Sequence, residues 1–230
     1  MDVISYFLKS VWGIVFLTLI LTFLGSLRFE SVGASLGSWA GLFFALQALV
    51  FMGFAPLLLL ILSSKMNLLD FGFRLPGRKK EAIVLIVLAF TVLMPLIIFF
   101  SGQDAFQDYY FLKKESLFNF LALIILPSLI YYFAEEFLFR GFLFWGLWHK
   151  IKYHSFWITS LIFSIFHLSK PLPEVFFAFF ASLIFCYLSL KTKSFVPAAV
   201  AHFLVAIALN ALIVFVAGAG GGSGNKFLNF

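Results

Sequence analysis

The chain has 230 residues, of which 63% are apolar, 20% aromatic and only 11% charged. Soluble domains carry roughly a quarter charged residues, so this composition excludes a water-soluble globule. The formal charge of +6 is not a nucleic-acid footprint, because the basic residues sit between apolar runs rather than along one stripe, and the single cysteine, Cys186, excludes an internal disulfide framework.

A membrane span takes ~20 residues. Uncharged runs cover 10–27, 31–64, 82–103, 116–134, 155–168, 175–190 and the stretch from Ser194 up to Lys226, with an apolar extension over 137–148. They predict an all-α, polytopic transmembrane helical bundle of about seven helices (six to eight), the fourth long and interrupted by charge. The first run is too long for a signal-peptide core and no small-residue cleavage site follows it, which predicts an uncleaved span. Gly33, Gly37 and Gly41 recur every four residues, a spacing that lets helices approach closely in lipid. Pro56, Pro95 and Pro127 fall within apolar runs and mark expected kinks. The expected organisation is 1–115 for the first three helices and their loops, 116–217 for the helices that carry the chemistry, and 218–230 for a flexible Gly-rich tail.

When connections are assigned alternately to two sides, the amino-terminal side collects Lys9, Lys65, Arg74, Arg78, Lys79, Lys80, Lys150, Lys152, Lys191 and Lys193. The other side has Arg28, Lys113, Lys114, Lys170 and Lys226. Positive loops stay cytoplasmic, so the expectation is a multi-pass protein of the cytoplasmic membrane, if bacterial, with its amino terminus inside.

The fourth helix carries Glu135, Glu136 and Arg140 between uncharged stretches at 127–134 and 141–148. Each such group costs ~2.5–3.5 kcal/mol at a helix centre on insertion scales, whereas a Leu returns only ~0.3–0.6. Glu136 and Arg140 are i and i+4 and should pair; Glu135 is rotated by about 100° and is left for general-base work on water. The turn to the next helix centres near Ile151, and Glu135 and His167 lie equally far from it along the chain. In a helical hairpin equal distance means equal depth, roughly 24 Å from the turn at 1.5 Å per residue, so the two can share one water. His202, one to two turns into the last span, is a third candidate, as a neutral donor to an oxyanion or as a metal ligand with Glu135 and His167. It should sit shallower than they do. His149 and His154 flank loop lysines and read as surface residues, and Asn210 as an interhelical hydrogen bond.

These residues resemble the CPBP family of intramembrane proteases, which includes CAAX prenyl endopeptidases and Abi-type immunity proteins. Glu135-Glu136-Phe-Leu-Phe-Arg140 is similar to the family's EExxxR motif and Phe163-Ser-Ile-Phe-His167 to its FxxxH motif, while His202 falls where the final histidine motif begins, so that the similarity spans about 117–216. The resemblance implies an endopeptidase acting on a membrane-anchored protein or peptide at the lipid bilayer. Glu135 and His167 would activate water, Glu136 and Arg140 would support them and His202 would stabilise the oxyanion. It also implies that zinc is possible but that no metal is obligatory. Ala206 stands where the family's third motif continues with Asn or Asp, which removes one oxyanion contact, and Asn210 is about 12 Å too far along the axis to replace it. An immunity or partner-binding protein on the same fold and a proton-coupled transporter are the rival expectations. With seven spans the carboxyl terminus lies outside, so a reporter fused after Phe230 should read non-cytoplasmic in a topology assay; a cytoplasmic signal would break the count or the orientation.

Overall fold

Within hydrocarbon every backbone amide must be satisfied in its own segment, which favours helices throughout an apolar chain such as this one. The computed structural model describes residues 3–28, 30–63, 66–110 and 121–215. Among the described residues there are nine helices and no strand: α1 (Val3–Lys9), α2 (Val11–Ser26), α3 (Ser31–Leu62), α4 (Lys79–Ser101), α5 (Asp104–Tyr109), α6 (Leu121–Ile151), α7 (His154–Ile165), α8 (Leu172–Thr192) and α9 (Val196–Phe215). Five of them, α3, α4, α6, α8 and α9, are long and apolar enough to cross a membrane, and α2 and α7 are shorter apolar helices. Together they are the elements the uncharged runs predict. The first part of the fourth run, 116–120, and the Gly-rich tail lie outside the described residues.

The interrupted fourth helix is continuous. α6 runs through Glu135, Glu136 and Arg140, and every residue of Phe137–Trp145 is buried. α4 is the opposite case, with Ile83, Val84, Val87, Leu88 and Val92 all more than half exposed along one side, as befits a helix whose outer face meets lipid. The ionisable residues of α6 therefore sit on the helix that the rest of the bundle encloses, where a charge needs partners of its own.

Three stretches widen into π-helix: Leu49–Phe54, Leu121–Ile125 and Phe137–Trp145. The first two end immediately ahead of Pro56 and Pro127, each of which opens the following α-helical turn. Proline has no N–H for the carbonyl four residues back and its ring crowds that carbonyl; a wider turn before it relieves both. Pro95 lies inside α4 without such a stretch. The third has no proline and centres on Gly141, where a Cβ would come within 2.7 Å of the Phe137 ring and 3.2 Å of the Phe71 carbonyl oxygen.

Gly33 and Gly41 are buried, as close packing would require, but Gly37 is exposed, with nothing within 4 Å of a Cβ, and adopts φ +55 at the start of a 3-10 turn in α3. The pattern identifies small residues but not which side of the helix meets a neighbour.

One end of the bundle is tied by hydrogen bonds between connections. The Phe195 amide donates to the Gly72 carbonyl (3.3 Å), the Ser194 hydroxyl to the Arg74 carbonyl, and His149 Nε2 to the Asp70 carbonyl (2.9 Å). Trp145 Nε1 donates to Ser189 Oγ at 3.0 Å, which fixes α6 against α8. His149 and His154 are both exposed, as their loop context predicts.

Candidate active site

The geometry starts from Glu136 and Arg140, both fully enclosed. Arg140 Nη1 donates to Glu136 Oε1 at 2.8 Å, and both side chains have 0% exposure. The guanidinium is also capped by aromatic faces, 4.3 Å from the Phe163 centroid and 5.3 Å from that of Phe185. Such contacts partly replace the water an arginine loses on burial. The predicted i,i+4 pair is present.

His202 reaches the same carboxylate from α9. Its Nδ1 donates to Glu136 Oε1 at 2.8 Å and stands 3.6 Å from Glu135 Oε2. The ring lies on Phe185 (5.2 Å, 28° between planes) and beside Tyr132 (4.3 Å). Two expectations are corrected here. His202 is level with the glutamates rather than shallower, because α9 begins beside the middle of α6, where Phe195 packs on Phe133 (5.1 Å) and Phe137 (5.2 Å). In addition, Nδ1–H is committed to Glu136, so the neutral ring presents the acceptor Nε2 to any ligand. Donation to an oxyanion would take a second proton.

Glu135 is buried and differently placed. Tyr131 donates to its Oε1 at 3.5 Å, and Oε2 has no hydrogen-bond partner among the described residues. His167 stands in the turn beyond α7, where its amide bonds the Ser164 carbonyl (2.9 Å) and its Nδ1 donates to the Phe163 carbonyl at 2.8 Å. A carbonyl only accepts, so Nδ1 carries the proton and Nε2 keeps its lone pair.

Two cavities meet at His167. The larger, about 410 Å³, is polar and is lined by Glu135, His167, Tyr131, Arg28, Tyr109 and Ser169 among others. The second is a slot of about 50 Å³ between aromatic walls that include Phe100, Phe163, Phe177 and Phe185, and it also contacts His202, Ala206 and Asn210. Tyr132, His167 and Lys170 line both. Glu135 and His167 thus both line the larger cavity.

Comparison with known proteins bears on this region. Residues 117–208 match the family model described as type II CAAX prenyl endopeptidase Rce1-like. The match is consistent with the CPBP resemblance and supports a protease-type role for α6 to α9. It includes Glu135, Glu136, Arg140, His167, Lys170 and His202. Among curated proteins and among solved structures nothing matches.

A metal fits these residues poorly as they stand. One donor atom each from Glu135, Glu136 and His202 lies within 4.8 Å of the others, so the convergent group contains Glu136 in place of His167. Ligands ~2.0–2.1 Å from a tetrahedral zinc would be roughly 3.3 Å apart, whereas His202 Nδ1 and Glu136 Oε1 are at the 2.8 Å of a hydrogen bond, with Arg140 on the same oxygen.

The sequence alone does not single out Lys170, which reads as a loop charge. Its ammonium donates to Glu174 Oε1 (3.0 Å) and to the Tyr110 hydroxyl oxygen (3.1 Å), while Tyr110 donates to Glu174 Oε1 at 2.6 Å. The available signal is the i,i+4 spacing of Lys170 and Glu174 across the turn into α8.

Arg140→Met leaves Glu136 buried without its cation and should destabilise the protein by about 3–5 kcal/mol. Glu136→Gln/Arg140→Met, which removes both charges, should recover most of that loss; thermal melting in detergent measures both.

Proposed function

We propose that this protein is an integral-membrane endopeptidase that hydrolyses a peptide bond in a membrane-anchored protein or peptide. The observation that carries the reading is that Glu135 and His167 both line one polar cavity inside an apolar bundle. A carboxylate and an imidazole lone pair facing the same space can hold a water between them and take its proton.

In this mechanism a peptide lies across the junction of the two cavities, its apolar side chains in the Phe-walled slot and its polar continuation in the larger space. Glu135 accepts a proton from water while His167 Nε2 accepts the water's other hydrogen and orients it. The water oxygen bonds to the carbonyl carbon and the carbonyl electron pair moves onto its oxygen. When the tetrahedral species collapses, the carbon–nitrogen bond breaks and the leaving amine takes the proton held by Glu135. Glu136, Arg140 and His202 do not enter these transfers. They fix the helix, ring and charge geometry around Glu135, a function their mutual hydrogen bonds suit. No step passes through a metal.

The test is terminal-peptide proteomics on membranes of cells expressing wild type, Glu135→Ala or His167→Ala at matched levels. New protein termini should appear with the wild type alone and should persist when its membranes are treated with a chelator. Identical termini in all three would overturn the protease reading; loss on chelation with recovery on zinc would overturn the metal-free mechanism.

A further inference from the structure

Hydrolysis by this route builds negative charge on the carbonyl oxygen, and a protease needs a donor aimed at it. Neither histidine supplies one in its neutral form. The Nδ1–H of His167 is bonded to the Phe163 carbonyl and that of His202 to Glu136, so both rings offer only an acceptor to the cavities. Arg140 is fully enclosed and lines neither cavity, and Arg28 lines only the larger one, with its Nη1 donating to the Gly25 and Leu27 carbonyls.

Lys170 differs in each respect. An ammonium has three N–H donors. Two of them go to Glu174 Oε1 and the Tyr110 hydroxyl oxygen, which hold the group in place with its side chain only 10% exposed. The residue lines both cavities, as does His167, three positions earlier in the same turn, where the Lys170 amide bonds the His167 carbonyl at 2.9 Å. The charge is therefore fixed by a buried acceptor pair beside the proposed water site, with one donor left for a ligand. Tyr132 also lines both cavities, and its hydroxyl would be a neutral second donor; a charged donor makes the stronger hydrogen bond to an anion.

We infer that Lys170 is a further catalytic residue of the proposed peptidase, the cation that binds the carbonyl oxygen as it becomes an oxyanion, with Glu174 and Tyr110 as its positioning residues. The inference rests on the protease reading and adds to it the group that receives the displaced electron pair. In the step, the carbonyl π pair moves to oxygen, the third N–H of Lys170 hydrogen-bonds that oxygen without giving up its proton, and collapse returns the pair as the amine leaves. Glu174 has a second oxygen, Oε2, buried without a protein partner. Its carboxylate is thus arranged around the lysine and not saturated by the rest of the fold.

The experiment must separate this role from a structural salt bridge, since Lys170→Met alone strands a buried carboxylate and can lower stability. The informative variant is Lys170→Met/Glu174→Gln, which removes both charges together, compared with wild type, Lys170→Met, Lys170→Arg and Glu135→Ala. The probe is a fluorogenic peptide carrying a cut sequence found in the wild-type-only termini, assayed on purified protein in detergent alongside a melting curve. The expected result is a double variant that melts like the wild type, with kcat about 10²–10³-fold lower and KM nearly unchanged, and Lys170→Arg recovering part of the rate. Wild-type kcat in the folded double variant, with Glu135→Ala inactive, overturns the inference alone. A double variant that fails to fold while Lys170→Met alone folds with wild-type kcat assigns the pair to stability and also overturns it. Wild type that cuts no more than Glu135→Ala overturns the protease reading and this inference with it.

Discussion

The hydrogen-bonded ion pair between Glu136 and Arg140 is the constraint on which the rest of the structure depends. Two full charges at 0% exposure inside an apolar helix are tolerable only if each is the other's solvent, and the bundle is built around meeting that condition. α6 is enclosed on all sides over Phe137–Trp145, Phe163 and Phe185 close over the guanidinium, and α9 sends His202 to the carboxylate oxygen that Arg140 already binds. Once Glu136 is held from two sides, the adjacent Glu135 is directed to the neighbouring cavity by the helix turn alone.

The site therefore divides labour between two neighbours in sequence. Glu136 holds Arg140 and His202 on one oxygen, lines neither cavity and belongs to the scaffold; Glu135 lines a space large enough for several waters. His167 makes the matching arrangement from the other strand of the hairpin, one nitrogen tied to its own backbone and the other open. Each group exposed to the cavity is backed by one that is not, which is how a polar site can be kept rigid in a bundle whose other contacts are non-directional.

Much of this was legible because it is local or follows from simple geometry. The Glu136–Arg140 pair needs only i,i+4 spacing, and Glu135 and His167 share a cavity because a hairpin preserves depth on either side of its turn. The level of His202 was not legible: where α9 begins beside α6 depends on Phe195 finding Phe133 and Phe137, contacts between residues far apart in the chain. Lys170 was hidden in part for the same reason: its i,i+4 spacing to Glu174 could be read, but Tyr110, which completes the arrangement, is 60 residues away. The glycine spacing misled at Gly37, which is exposed, because it records residue size without recording which way the helix faces. What periodicity and charge can convey is the content of one element; the meeting point of two elements is decided by side chains that each look ordinary alone.

The wide turn from Phe137 to Trp145 has a consequence for how the chain tolerates change in length. Its hydrogen bonds skip one residue more than those of an α-helix, and it lies between the glutamates and the Trp145–Ser189 anchor. A single deletion there can be absorbed by tightening to α-helix, because the widened turns already hold the extra residue, and Glu135 and Glu136 then stay near their phase to that anchor. A second deletion has no widened turn left to absorb it and would turn both carboxylates by roughly 100° off the cavity. The wide turn is thus a reserve of length: what looks like an irregularity of the backbone lets this segment lose a residue while the two glutamates stay in step with the histidines facing them.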